Sequence, residues 1–266
     1  MASDFVLRRD EPLDDAFRRI ADEQLTRAAA ALTSKKLSRD ARVHEARKRF
    51  KESRALMRLY GLDEQTRWYR DAGRALSQYR DATAVIEALE SMEIGGEVTA
   101  RLRKQRDAVY AGVDVAQADL LTRFAAERLS VHDATLREVE DVVEQRLADA
   151  IRAGRRAMRE ARETRTEIAF HEWRKRVKDQ WYHVRLFRNI APRLMKVHES
   201  SLHDLSQILG DHHDLTVVRS VIPDSAKFIE RQKALEEKAW PIAGQVYAGK
   251  PRGRASEIMD LWRAWV

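Results

Sequence analysis

Two stretches of this chain place a histidine ahead of a run of cations. One reads HEARKRFKESRALMRLY from His44, and the other reads HEWRKRVKDQWYHVRLF from His171. On a helical wheel of about 100° per residue, His44, Arg47, Lys48, Lys51, Arg54 and Arg58 share an arc of about 120°. His171, Arg174, Lys175, Lys178 and Arg185 take the same arc in the second stretch, where Trp181 replaces Arg54 and Tyr182 replaces Ala55. Arginine offers a planar fork of donors, lysine a compact charge, and histidine a donor whose charge is adjustable near neutral pH. Repeated at every turn, these groups suit an anion with charges at close intervals. A phosphate polymer is such an anion.

The ordinary alternative is a solvated helix face. Such a face mixes signs so that i,i+4 ion pairs form, whereas neither arc holds a carboxylate. Stacked like charges repel, and a bound counter-charge is the natural compensation. The overall balance is +7, from 50 basic and 43 acidic residues. Between Arg42 and Arg58 seven Lys/Arg face only Glu45 and Glu52, and between His171 and Arg188 six face only Glu172 and Asp179. The rest of the chain is slightly acidic, so the basicity is focused in two places. That favours a local polyanion site over a diffuse sticky surface.

The elements that must position these residues are helices. Charged residues make up 35% of 266, with few glycines and prolines, and no period-2 pattern stands out. The expected helices follow Glu11-Pro12, then Asp40 up to a C-terminal Gly61, then 63–80, 83–92, 97–128 and 134–163. The second basic helix covers 167–188, followed by 194–208, 214–221, 225–247 and 254–265, with Gly210, Pro223 and Pro251 as punctuation. No apolar run is long enough to span a membrane, and the first residues, MASDFVLRRDEP, lack the pattern of a secretion signal. Cysteine is absent, which removes disulfides and thiolate chemistry. A cytoplasmic protein is expected.

The two basic stretches are copies. At an offset of 127, Val43–Tyr60 and Phe170–Phe187 share eight identities. Downstream, Leu76-Ser77-Gln78 returns as Leu205-Ser206-Gln207, and Arg80-Asp81-Ala82-Thr83 resembles His213-Asp214-Leu215-Thr216. Two matched blocks in one order imply duplicated halves, of about 5–128 and 134–266, within one domain over 1–266. The expected fold class is all-α: two helical bundles packed side by side, related by an internal pseudo-two-fold axis.

HxxRKRxK followed by RALMRLY, the later HEWRKRVKDQWYHVRLF, and LSQILGDHHDLTVV together resemble the conserved histidine α-helical domain, the CHAD family. The resemblance runs from about Phe5 to the last helix. It implies two four-helix bundles with pseudo-two-fold symmetry that bind inorganic polyphosphate in a basic central channel and associate with polyphosphate granules. It implies as contacts His44, Arg47, Lys48, Lys51, Arg54 and Arg58 in the first half, and His171, Arg174, Lys175, Lys178 and Arg185 in the second. Trp181 departs from the pattern where a cation would complete the second track. The triphosphate-processing segment that often accompanies this domain is not found, so a stand-alone binding module is expected.

Other constellations compete. His203, Asp204, Asp211, His212, His213 and Asp214 have metal-ligand types, but Gly210-Asp211 reads first as a helix stop and a new N-cap. A helix start there would offer free N–H groups to an anion, with a phosphate contact through His212 or His213; His213 is counted with the site. Arg155 and Arg159, like Arg18 and Arg19, are secondary channel-wall candidates. Tyr182 lies beside the cationic arc, where its hydroxyl could donate to phosphate, while Trp173 and Phe187 fall on the apolar side. No nucleophile–base pair, carboxylate pair or glycine-rich phosphate loop has a recognisable spacing. The expectation is a binding protein without enzymatic activity, cofactor or metal. A nucleic-acid binder and a metal-dependent phosphohydrolase are the alternatives.

Overall fold

The computed structural model of the chain describes residues 5–222 and 226–266. Among the described residues there are twelve helices and no strand. The chain forms two compact units. The first, Phe17–Arg58 with Leu62–Leu136, holds most of α1 (Leu13–Thr33) and α2 (Arg39–Leu59), then α3 (Asp63–Ala75), α4 (Ser77–Ser91), α5 (Glu97–Tyr110), α6 (Val113–Thr122) and α7 (Phe124–His132). The second holds α8 (Val139–Thr164), α9 (Glu167–Leu186), α10 (Pro192–Arg219), α11 (Ala226–Val246) and α12 (Pro251–Trp265). Residues 5–16 and Leu59–Gly61 also belong to this second unit.

The N-terminal segment therefore packs with the C-terminal half, not with the half that follows it in sequence. Phe5 and Leu7 are both fully buried. The Leu7 amide donates to the Leu186 carbonyl at 2.9 Å, and Asn189 Nδ2 donates to the Leu7 carbonyl at 3.0 Å. Tyr60 ties the link residues to the same unit by donating its hydroxyl to the Leu13 carbonyl at 2.9 Å.

The two basic helices form where the sequence places them. Ser38, not Asp40, caps α2: its hydroxyl accepts the Ala41 amide at 3.2 Å. Gly61, at φ +73, lets the Leu62 amide turn back to the Met57 carbonyl at 2.9 Å and end the helix. On α9, Thr166 caps the start by accepting from the Ala169 amide. The apolar faces are core: Val43, Ala46, Phe50 and Met57 on α2 are fully buried, as are Trp173, Val177 and Phe187 in and just after α9. Trp173 stacks on Trp240 with centroids 5.2 Å apart and planes 6° from parallel.

Three boundaries differ from expectation. The helix expected over 63–80 breaks at Leu76 (φ −102, ψ 6), so α4 begins at Ser77 and runs through the expected gap. The stretch 97–128 is three helices, interrupted at Ala111–Gly112 and Arg123. Conversely, the expected stop at Gly210-Asp211 does not exist, because α10 runs unbroken for 28 residues. Leu202, Leu205, Leu209, His212, Leu215 and Val218 form one continuous buried stripe across Gly210. That packing outweighs the roughly 1 kcal/mol helix penalty of a single glycine. The Pro223 break lies outside the described residues.

Candidate anion-binding site

In the C-terminal unit α9 presents His171, Arg174, Lys175 and Lys178, while α10 brings His213 and Asp214 alongside. The His171 and His213 rings lie 4.5 Å apart, tilted by 37°. Arg174 lies against Gly210, where a Cβ would sit 3.8 Å from its Nε, an ordinary contact distance. His171 Nδ1 and Arg174 Nε are buried atoms that make no hydrogen bond among the described residues.

These bases depress one another. Burial pushes His213 down to about 4, and the neighbouring His171, Arg174, His212 and Lys175 add to the shift. Burial and then Arg174 push Lys178 down to about 8, with Asp214 opposing. Burial also lowers His171, assisted by Lys175 and Arg174, and it lowers Arg174 against the pull of Asp214. The charged forms are short of counter-charge and of hydrogen bonds. An anion entering here meets the unpartnered Arg174 Nε–H and stabilises cations that the protein alone holds at a cost, and it gains a second donor when His171 protonates.

The arc is not wholly free of carboxylates, because Glu172 accepts from Lys175 at 3.3 Å and also holds Arg176. Two members of the expected track turn inward instead. Tyr182 is 5% exposed, packed edge-on to Phe5 and against Trp181. Arg185 is 7% exposed, and its guanidinium lies 4.8 Å from the Trp181 ring centre. The indole that replaces a cation at 181 gives Arg185 a surface to stack on, and the track of α9 ends at Lys178.

The N-terminal unit repeats the pattern with different exposure. His44, Lys48 and Lys51 are exposed on α2, while Arg47, Arg54 and Arg58 are half-buried. Arg47 donates to the Gly73 carbonyl in the last turn of α3, beside the Leu76 break. Burial lowers Arg47 and His44, and Arg80 on α4 adds to both shifts, with Asp81 opposing at Arg47. Arg80 thus joins this face, although the sequence reading left it out. Its alignment with His213 in the internal repeat was the signal. Arg49 is spent on Glu45 and Glu52 at 3.3 and 2.8 Å.

Two of the secondary candidates, Arg155 and Arg18, serve as helix clamps. Arg155 donates to the Tyr247 and Gly249 carbonyls at the end of α11, and Arg18 to those of Val131, His132 and Ala134 at the end of α7. Arg19 pairs with Glu23. His212 is core, stacked on Phe170 at 4.4 Å with its Nε2 3.4 Å from Glu236. With α10 continuous, no helix start faces an anion at Asp211. Among the described residues no three His, Cys, Asp or Glu side chains gather as a metal cage, and no helix is long and apolar enough to cross a membrane.

An all-α protein with a histidine-led cationic helix in each of two units is the class that this fold and site define. The family model of the CHAD domain matches residues 19–223, and the chain belongs to that family. A crystal structure of the CHAD domain from the plant Ricinus communis shares the fold, with a TM-score of 0.60 at 16% sequence identity, over 97% of this chain and 95% of that one. No curated protein matches the sequence.

Proposed function

We propose that this CHAD domain binds inorganic polyphosphate without catalysing a reaction. The contacts are His171, Arg174, Lys175, Lys178 and His213 on one face, and His44, Arg47, Lys48, Lys51, Arg54 and Arg58, joined by Arg80, on the other. The observation that supports this most is the pair of buried nitrogens without a hydrogen-bond partner among the described residues, His171 Nδ1 and Arg174 Nε, inside a cluster of mutually depressed bases. Phosphate oxygens supply both the acceptors and the charge that this cluster lacks. The function is cytoplasmic, at polyphosphate granules, where such a chain is concentrated.

Nucleic acid shares the electrostatics but also needs surfaces on which bases stack. The aromatics of this region are committed to packing: Trp173 on Trp240, and Tyr182 and Phe187 in the core. The deciding experiment titrates labelled long-chain polyphosphate at near-physiological salt against excess RNA and DNA. Binding that survives the competitors is the expected result, and displacement by nucleic acid would reduce the cationic faces to a general polyanion surface. Affinity falls steeply with salt, since neutralising a polyanion releases its counterions. Phosphate release that a chelator abolishes would instead establish the phosphohydrolase alternative.

A further inference from the structure

The C-terminal unit contains a cavity that the cationic faces do not use. It holds about 200 Å³ and opens among α8, α9, α10, α11 and α12. Its walls are mainly aliphatic, with Leu147, Ile151, Val184, Met195, Leu202 and Leu261 among them. Leu194 and Val197, also in its lining, are 39% and 63% exposed, a high exposure for aliphatic side chains. Gln180, His183, Ser201 and Gln245 also line it, and its charged groups gather in one cluster, formed by His198 on α10 with Arg254 and Glu257 on α12.

The cluster has a defined donor pattern. Arg254 donates to the Val246 carbonyl and, from its other terminal nitrogen, to His198 Nδ1 at 3.0 Å. A guanidinium cannot accept, so Nδ1 is the acceptor and the neutral imidazole carries its proton on Nε2. Among the described residues no carboxylate lies within ion-pair distance of Arg254; Glu257 acts on it and on His198 through the field, and Arg155 adds its own positive field at Arg254. The cavity therefore offers an apolar body site, a cation and a histidine N–H at one place. The Glu257 charge nearby disfavours a second negative charge.

We propose that this cavity binds a small amphiphilic monocarboxylate, its alkyl or aryl body among the aliphatic walls and its carboxylate on Arg254 and the His198 N–H. The volume exceeds the ~150 Å³ cavity that holds benzene elsewhere, so a body of about eight carbons fits. Glu257 excludes dianionic heads, which separates this ligand from phosphate. The site is independent of the polyphosphate reading.

Calorimetric titrations with octanoate, octan-1-ol and octyl phosphate at pH 8 test it, on the wild type and on variants Ala150→Phe, Ser201→Phe and Arg254→Met. Octanoate is expected to bind saturably, with octan-1-ol and octyl phosphate each weaker by about tenfold or more. Both phenylalanine variants should abolish octanoate binding, and Arg254→Met should remove its advantage over the alcohol. Polyphosphate affinity and helical content measured on the same variants report on folding, and two fillings from different helices guard against one that fails to fold. Octan-1-ol binding as tightly as octanoate, octanoate binding retained in both folded filled variants, or no octanoate binding to the wild type would each overturn the proposal.

Discussion

The cationic helices α2 and α9 share eight identities yet solve different electrostatic problems. On α9 the repeat sinks its charges: His171, Arg174 and Lys178 are half-buried, and their charged forms are disfavoured. On α2 the equivalents of His171 and Lys178, His44 and Lys51, stand in solvent. Arg47, half-buried like Arg174, is occupied with the Gly73 carbonyl, and Lys48 and its counterpart Lys175 are both exposed. Exposed charges are screened by salt and water, whereas half-buried ones keep most of their field and gain most from an anion. A duplicated motif is thus not a duplicated contribution. The α9 face should dominate affinity, and the α2 face should contribute mainly attraction over distance.

The largest expected effect tests that ranking directly. Removing Arg174 and Lys178 together should weaken polyphosphate binding by about 100-fold or more, because each loses a charge-assisted hydrogen bond worth about 1.5–3 kcal/mol. Removing Lys48 and Lys51 together should cost only about 5- to 10-fold, the range for exposed pairs. Filter binding at a single salt concentration measures both, and equal losses would break the comparison.

The next effect follows from the bases of α9 and α10. His213 titrates at about 4 and His171 below its ordinary value in the free protein, so both are neutral at pH 7. A bound phosphate raises both values, so binding takes up protons. Affinity then increases as pH falls from neutrality, and it levels off only below the free-protein values. The gain should be several-fold between pH 7 and 5, reduced in His213→Ala and in His171→Ala, lost when both are removed, and reduced less by His44→Ala, whose side chain is more exposed. A histidine lowered in the fold also binds protons less readily than in the unfolded chain. Stability accordingly drops as pH falls from about 6.5 toward 4, and saturating polyphosphate should restore it in a thermal melt.

How much of this was legible in the sequence depends on what each feature rests on. The charged arcs, the repeat and the core positions of Val43, Phe50, Trp173 and Val177 all follow from helical periodicity, which is a local property. The continuity of α10 did not, because Gly210-Asp211 is a strong local stop that only a tertiary stripe from Leu202 to Val218 overrides. The inward turn of Tyr182 and Arg185 was hidden for a similar reason. It depends on Phe5, some 180 residues away, and on Trp181 as a stacking surface. Arg80 was visible as an alignment partner of His213 but not as a neighbour of His44.

Lys178 gives a smaller effect of opposite sign for stability and binding. Its ammonium titrates at about 8 in the fold against about 10.4 unfolded, so it opposes folding wherever it is charged. Wild-type stability should therefore rise as pH climbs from 8 to 10. Lys178→Met should flatten that rise and add about 1 kcal/mol at pH 7 in urea unfolding, while weakening polyphosphate binding. The α2 counterpart, Lys51→Met, should leave stability within about 0.5 kcal/mol, as surface changes usually do. A destabilised Lys178→Met would mean that the lysine stem, not its charge, is what this site needs.

The smallest effect separates packing from access at Gly210. This glycine sits in mid-helix without a positive φ, and a Cβ would meet Arg174 Nε at 3.8 Å, an ordinary van der Waals distance. Gly210→Ala should stabilise α10 by about 0.5–1 kcal/mol. If affinity is unchanged, the glycine is a relic of local chain preference, and the donors of Arg174 point away from it toward the anion. If affinity falls while stability rises, the anion approaches over Gly210 itself. The second outcome would give α9 a feature that α2 lacks, since the Arg47 guanidinium is turned to a backbone carbonyl instead, and it would widen the contrast between the two faces.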